Sequence, residues 1–399
     1  MIPAHYLRTR IRIAFNKIAL ASAACGALAA VARPAHAQEP PGPGSAEPAA
    51  PGPVAAGPGY GRRIPFGAYG EAFLIHEGDS TEANLERFVL FFGHSFTDWA
   101  RLYSEVEIED AKEVEVEQAY IELNPFRRIG LRAGLVLVPV GLVNLLHEPP
   151  TFNGVERPTV DQIIVPTTWR EIGLGIFGEL TEGLQYQLYV MNGLNAAGFS
   201  GATGIRGGRG EGSEARSRDP AVTARLDYGG ILGFNVGASF YYGQADQGEA
   251  ALDGVRVAIV EADARYARYG LRLRGEYARI FIRDAEKVTD FLRAADPSAE
   301  AVGSAQQGFY LEGGYDLFHL AGRSDQQLVP FVRYENANTH ASLANVPNPG
   351  TSDAQQFVTA GLTYLPHPQI ALKFDYRRRL EDPPQGEKNR YSFGIGFMF

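Results

Sequence analysis

Two Arg residues set among closely spaced glycines, in GATGIRGGRGEG (201–212), form the first stretch whose spacing suggests chemistry. Glycines let backbone N–H groups close on a phosphate, but that use needs a strand leading in and a helix following. Neither pattern flanks 201–212, so the stretch reads as a mobile external loop. His147 and Glu148 are adjacent, which points their side chains apart in extended chain, and no helical His pair accompanies them. No metal ligand set is expected there. GEGSEARSRD holds Ser among charges without nucleophile-elbow spacing. Arg170–Glu171 reads as an ion pair of little energetic weight at the start of a strand. These patterns give no catalytic residue and no cofactor site, and the chain is expected not to be an enzyme.

The positive charge is almost entirely Arg, with only five Lys among the 37 basic residues. Arg keeps its charge when partly desolvated and grips planar oxyanions through a two-pronged fork, so the composition permits an anion site. The formal net charge is −9, which argues against a general nucleic-acid binder. The N-terminus carries Arg8, Arg10, Arg12 and Lys17, then the apolar stretch Ile18 to Val31, then Ala35 and Ala37 in small-x-small spacing. This is the pattern of a secretory signal peptide over 1–37. Its removal would take away Cys25, the single cysteine, and leave neither disulfide nor thiol chemistry. Residues 38–60 are rich in Pro, Gly and Ala and read as a periplasmic linker, leaving 61–399 as the folded domain.

What positions the charges is a series of strands. LQYQLYV sets Leu184, Tyr186, Leu188 and Val190 against Gln185 and Gln187; IALKFDYR sets Ile370, Leu372, Phe374 and Tyr376 against Lys373, Asp375 and Arg377. The final YSFGIGFMF alternates Tyr391, Phe393, Ile395, Phe397 and Phe399 with mostly small residues. Sixteen such runs follow Arg63, near the ~9–11 residues that a tilted strand needs to cross a bilayer. RFVLFFG and RIFIR are apolar on both faces and their facing stays open. The connections alternate, short ones such as 97–98, 125–127, 181–183 and 366–368 against long ones at 76–84, 139–170, 194–218, 244–253, 284–306, 337–353 and 379–388. A meander places alternate connections at one end, so this rhythm predicts an all-β transmembrane antiparallel barrel in the outer membrane of a Gram-negative-type bacterium. The ending at Phe399 is similar to the signal by which outer-membrane barrels are handed to their assembly machinery.

Residues 139–170 carry Leu145, Leu146, Phe152, Ile163, Ile164 and Trp169, which need a surface to pack on. Folding inward across the lumen would supply one; an ordered external cap is the alternative. QAYIELNPFRRIGLRAGLVLVPVGL (118–142) and ERPTVDQIIVPTTWREIGLGIFGEL (156–180) resemble the phosphate-selective porin O/P family. The resemblance implies a sixteen-stranded homotrimeric channel whose inward third loop and line of Arg and Lys conduct anions. By motif position Arg132, Arg157 and Arg170 are the expected constriction residues. After RAG the sequence continues LVLV where the family commonly has a polar residue and a Lys. Arg101, Arg225, Arg272 and Arg274 fall on the faces assigned to the lumen, opposed by Glu105, Glu107 and Glu171 among others. The balance favours a porin for small hydrophilic solutes or ions with at most modest anion preference. Outer-membrane lipid and solutes in transit are its expected partners. A loop-plugged adhesin or scaffold without conductance, and a lipid hydrolase with a Ser–His pair on the barrel wall, are the alternatives.

Overall fold

A computed structural model describes residues 66–213, 215–323, 325–344, 354–381 and 389–399. The expected signal peptide (1–37) and linker (38–60) both lie outside the described residues. Sixteen strands run in chain order: β1 Phe66–Glu77, β2 Ser80–Ser95, β3 Ala100–Glu109, β4 Glu113–Phe126, β5 Ile129–Leu137 and β6 Arg170–Thr181. There follow β7 Leu184–Asn192, β8 Pro220–Ile231, β9 Phe234–Gln244, β10 Arg256–Arg268 and β11 Leu271–Arg283. The last are β12 Ala305–Tyr315, β13 Gln327–Ser342, β14 Ala354–His367, β15 Ile370–Arg379 and β16 Asn389–Met398. Each pairs antiparallel with its sequence neighbours, and β1 pairs with β16 from Tyr69↔Met398 to Glu77↔Arg390, so the sheet closes into a barrel with no free edge. The expected all-β antiparallel barrel of sixteen strands is the fold observed.

The alternation sets the two faces. Leu188, Val190, Leu372, Phe393 and Ile395 are each about half exposed and point outward, while Gln187, Lys373 and Ser392 occupy the intervening inward positions. An outward belt of Leu, Ile, Val and Phe belongs in hydrocarbon, and closure satisfies every strand edge there. RFVLFFG and RIFIR are resolved in the same way. Phe281 points outward, while Val89, Ile280 and Ile282 are buried inside.

Of those inner residues, Ile280 and Ile282 meet long connections. Val138, Val160, Ile164 and Trp169 from the β5–β6 segment pack with Phe199, Ile205, Leu252, Ile259 and Ile280. Ala285 and Val288 of helix α1 (Ala285–Ala295), between β11 and β12, join the same cluster. One correction concerns 76–84, expected as a long loop. β1 and β2 instead pair from Phe66↔Phe92 to Glu77↔Ser80, broken only by a bulge at Glu86, with Gly78 and Asp79 in the turn. A ladder needs backbone hydrogen bonds and not apolar side chains, so the polar run from His76 to Glu86 pairs without showing a hydrophobic period. The glycine-rich 201–212 also departs from expectation. Ile205 is fully buried, and Gly198 and Gly207 approach so closely that a Cβ on either would collide with the other's carbonyl oxygen.

Candidate functional site: a charged cavity beside the β5–β6 segment

The β5–β6 segment touches inward-facing groups of strands far from its own. Asn153 Nδ2 donates to Glu312 Oε1 of β12 at 3.0 Å, Val155 N to Asp375 Oδ2 of β15 at 2.6 Å, and Thr159 N to Glu335 Oε1 of β13 at 2.6 Å. Arg274 of β11 donates to Thr151 O at 2.6 Å, and Arg377 of β15 to Thr159 Oγ1 at 2.5 Å. Lys373 sits 3.7 Å from the ring centre of Phe152. Small residues on the wall make room. Val155 packs over Gly394 and Pro149 over Gly396, while Val160 and Ile164 pack over Gly308. Asp161 is fully buried with neither carboxylate oxygen in a hydrogen bond, and burial pushes its pKa up to about 8.

On its other side the segment bounds a cavity of about 500 Å³. The wall of β1–β4 contributes Glu71, Arg87, Glu107 and Glu115, the segment Arg157 and Thr167, and the glycine-rich stretch Arg206 and Arg209. Arg87 is held by Glu71 at 2.9 Å and Glu107 at 3.5 Å. Arg170 lines the cavity and pairs with Glu115. Arg157 is different. Its Nη1 donates to Thr167 Oγ1 at 2.8 Å, and its Nε and Nη2 are shielded without a hydrogen bond. Burial lowers the pKa of Arg157, and a guanidinium short of acceptors attracts an anion. Arg209 donates to Thr167 O at 3.2 Å and pairs with Glu211 at 2.6 Å. Its pKa is lowered by burial to about 10.

The structure thus brings Arg157 and Arg170 to one cavity, but not Arg132. The Arg132 guanidinium donates to Glu122 at 2.8 Å and to Tyr189 Oη at 2.9 Å, and lies over the rings of Tyr120 and Phe177 at 4.7 Å each. That makes it part of a neutralised, aromatic-walled cluster away from the cavity lining. Arg225 likewise meets Asp227, Glu261 and Asp263 within 3.2 Å. Arg272 bonds Gln327, and Arg101 donates to Asp98 O at 3.3 Å. Glu171 is no strand-start ion pair with Arg170. It accepts from Trp169 Nε1 at 3.1 Å, from Gly210 N at 2.9 Å and from Asn192, tying two long connections to the wall. Arg206 and Arg209 were missed as site residues, and their signal was the pair of Arg among closely spaced glycines.

A second polar cluster lies where β1, β3 and β4 meet the segment. Tyr69 Oη is 2.9 Å from Glu117 Oε2 and 2.8 Å from His147 Nε2, which is itself 3.0 Å from Glu117 Oε1. Burial would hold the His147 pKa down, but the Glu117 carboxylate overcomes this and lifts it to about 9.

A closed sixteen-stranded barrel with an apolar exterior and charged interior groups is the fold of outer-membrane porins. The similarity extends over most of the chain. OmpF of Salmonella typhi, solved with daunomycin, matches with a TM-score of 0.58 at 13% identity, over 85% of this chain and 98% of that one. The anion-selective porin of Comamonas acidovorans matches with a TM-score of 0.54 at 10% identity, over 85% of this chain and 100% of that one. At the sequence level the chain belongs to the same family as an uncharacterized protein of Aquifex aeolicus (strain VF5). The two are 37% identical over 355 residues, 84% of this chain and 80% of the relative. No protein-family model matches the chain.

Proposed function

We propose that the protein is an outer-membrane porin, a passive channel for small hydrophilic solutes and ions. In this reading the β5–β6 segment is the inward third loop, and solutes pass between it and the β1–β4 wall. The observation that carries the reading is the charged cavity of about 500 Å³ inside a closed barrel with an apolar exterior. No nucleophile and base are needed for such a role; a path lined by water-compatible groups is sufficient. The lining mixes Arg87, Arg157, Arg170, Arg206 and Arg209 with a larger number of carboxylates, several already engaged by Arg. Arg157 tips the balance at the segment, which gives a modest anion preference. Phosphate-type anions are the narrower candidate, in line with the motifs over 118–180. A homotrimer is the proposed assembly. Proteoliposomes test the channel directly. With the barrel incorporated they should swell in an isotonic small neutral sugar at a rate falling with sugar size. Liposomes that swell no faster than protein-free ones would overturn the reading.

The apolar cluster of long connections gives specific support to a second reading, a barrel closed by its own loops that serves as a surface scaffold. Deleting 143–165 separates the two. A channel already swells the liposomes, whereas a plugged scaffold does so only after the deletion.

A further inference from the structure

Glu117 occupies a β-bulge. Glu105 pairs with Gln118 and Val106 with Val116, so Glu117 is the extra residue of β4 and has no partner on β3. A bulge re-aims a side chain, and here it turns a fully buried carboxylate inward beside Glu105. The β5–β6 segment brings His147 to the same point. Its Nδ1 lies 3.0 Å from Asn144 O and donates there, so a metal ion arriving at Nε2 would displace the proton that nitrogen carries and take its place beside the two carboxylates. One ligand atom from each of Glu105, Glu117 and His147 lies within 4.8 Å of the others. Glu117 Oε1 and His147 Nε2 are 3.0 Å apart yet are not aligned as a hydrogen bond, and Glu105 Oε2 is shielded from solvent without a hydrogen bond. The charge there does not balance. Arg87 is engaged by Glu71 and Glu107, which leaves Glu105 and the fully buried Glu117 sharing one imidazole. Buried carboxylates in excess need protons or a cation.

We propose that Glu105, Glu117 and His147 form a binding site for a divalent transition metal of the Zn²⁺ class. One imidazole nitrogen and two carboxylate oxygens suit such ions, whose ligand bonds are about 2.0–2.2 Å. Tyr69 Oη stands beside the same two ligands and is placed to complete or orient the set. The ion would fasten the β5–β6 segment to the β3–β4 wall, because the His comes from one and both carboxylates from the other.

Zn²⁺ alone is the probe. The folded barrel in detergent micelles, stripped with a chelator, should take up one Zn²⁺ per chain in equilibrium dialysis. Glu105→Gln and His147→Gln should each weaken uptake more than about tenfold, while His319→Gln, in a short turn elsewhere, leaves it unchanged. Bound Co²⁺ should give an absorption band that Glu105→Gln alters. The heat-shift of the folded band on a gel separates lost binding from lost folding. Failure of the folded wild-type barrel to take up Zn²⁺ overturns the proposal. Uptake that is equal in the wild type and both folded variants also overturns it, leaving a proton-sharing cluster only.

Discussion

Two arginines that look equivalent in sequence are opposite in environment. Arg132 is enclosed by Glu122, Tyr189 and two aromatic rings, whereas Arg157 lines the cavity with its Nε and Nη2 shielded and without a hydrogen bond. Arg157→Ala should therefore move the zero-current potential in a salt gradient towards cation preference, which single-channel recording reads directly. Arg132→Ala should leave that potential almost unchanged and act on stability instead. It strands the buried Glu122 carboxylate, at a cost of about 3–5 kcal/mol, measurable by denaturant refolding in lipid vesicles. The motif over 118–142 identified Arg132 as a residue with a purpose, but the purpose depends on Tyr120, Phe177 and Tyr189, which no spacing relates to it. Glu117 and His147 were hidden for a similar reason, since His147 sits beside Glu148 in sequence and beside Glu117 in space.

At the scale of elements the strands were legible and the lumen was not. A period of two survives in any strand with one face in lipid, which is why LQYQLYV and IALKFDYR gave their facing at once. RFVLFFG and RIFIR stayed open because their inner faces are buried and apolar like the outer ones, Phe91 against Tyr103 of the next strand and Ile280 and Ile282 against long connections. The polar hairpin around Gly78 was lost because pairing by backbone alone leaves no side-chain period. Contacts of the β5–β6 segment give two predictions. Gly396→Leu fills the seat occupied by Pro149 and should displace the segment, raising unitary conductance while the folded band on a gel persists. Asp161 gives the pH dependence. Its pKa is raised from 3.8 to about 8, so the protonated form is the one the fold favours. That contribution is full below about pH 4 and is lost as pH rises through 8. The groups acting on it are Glu276 and Glu261 and the cations Arg157 and Arg274. Amide exchange over 158–165 should accelerate between pH 6.5 and 9.5 by more than base catalysis of exchange predicts, and Asp161→Asn should abolish the excess.

The whole molecule is organised by two solvents. Hydrocarbon outside requires closure and the outward belt, and inside the barrel Arg–carboxylate pairs neutralise the buried charges of the wall. Ile395→Arg places a charge on the outward face of β16 and should destabilise the barrel by about 2–4 kcal/mol if that position lies at the bilayer midplane, falling towards zero near an interface. Refolding into vesicles of defined thickness reads that depth. Single-channel recording in a salt gradient reads directly whether solutes cross between the β5–β6 segment and the β1–β4 wall. Stepwise ohmic openings are expected at low salt, with a reversal potential displaced modestly towards the anion value. The displacement should shrink at 1 M salt, where screening reaches only about 3 Å. A folded barrel that stays silent until 143–165 is deleted would contradict passage by that route.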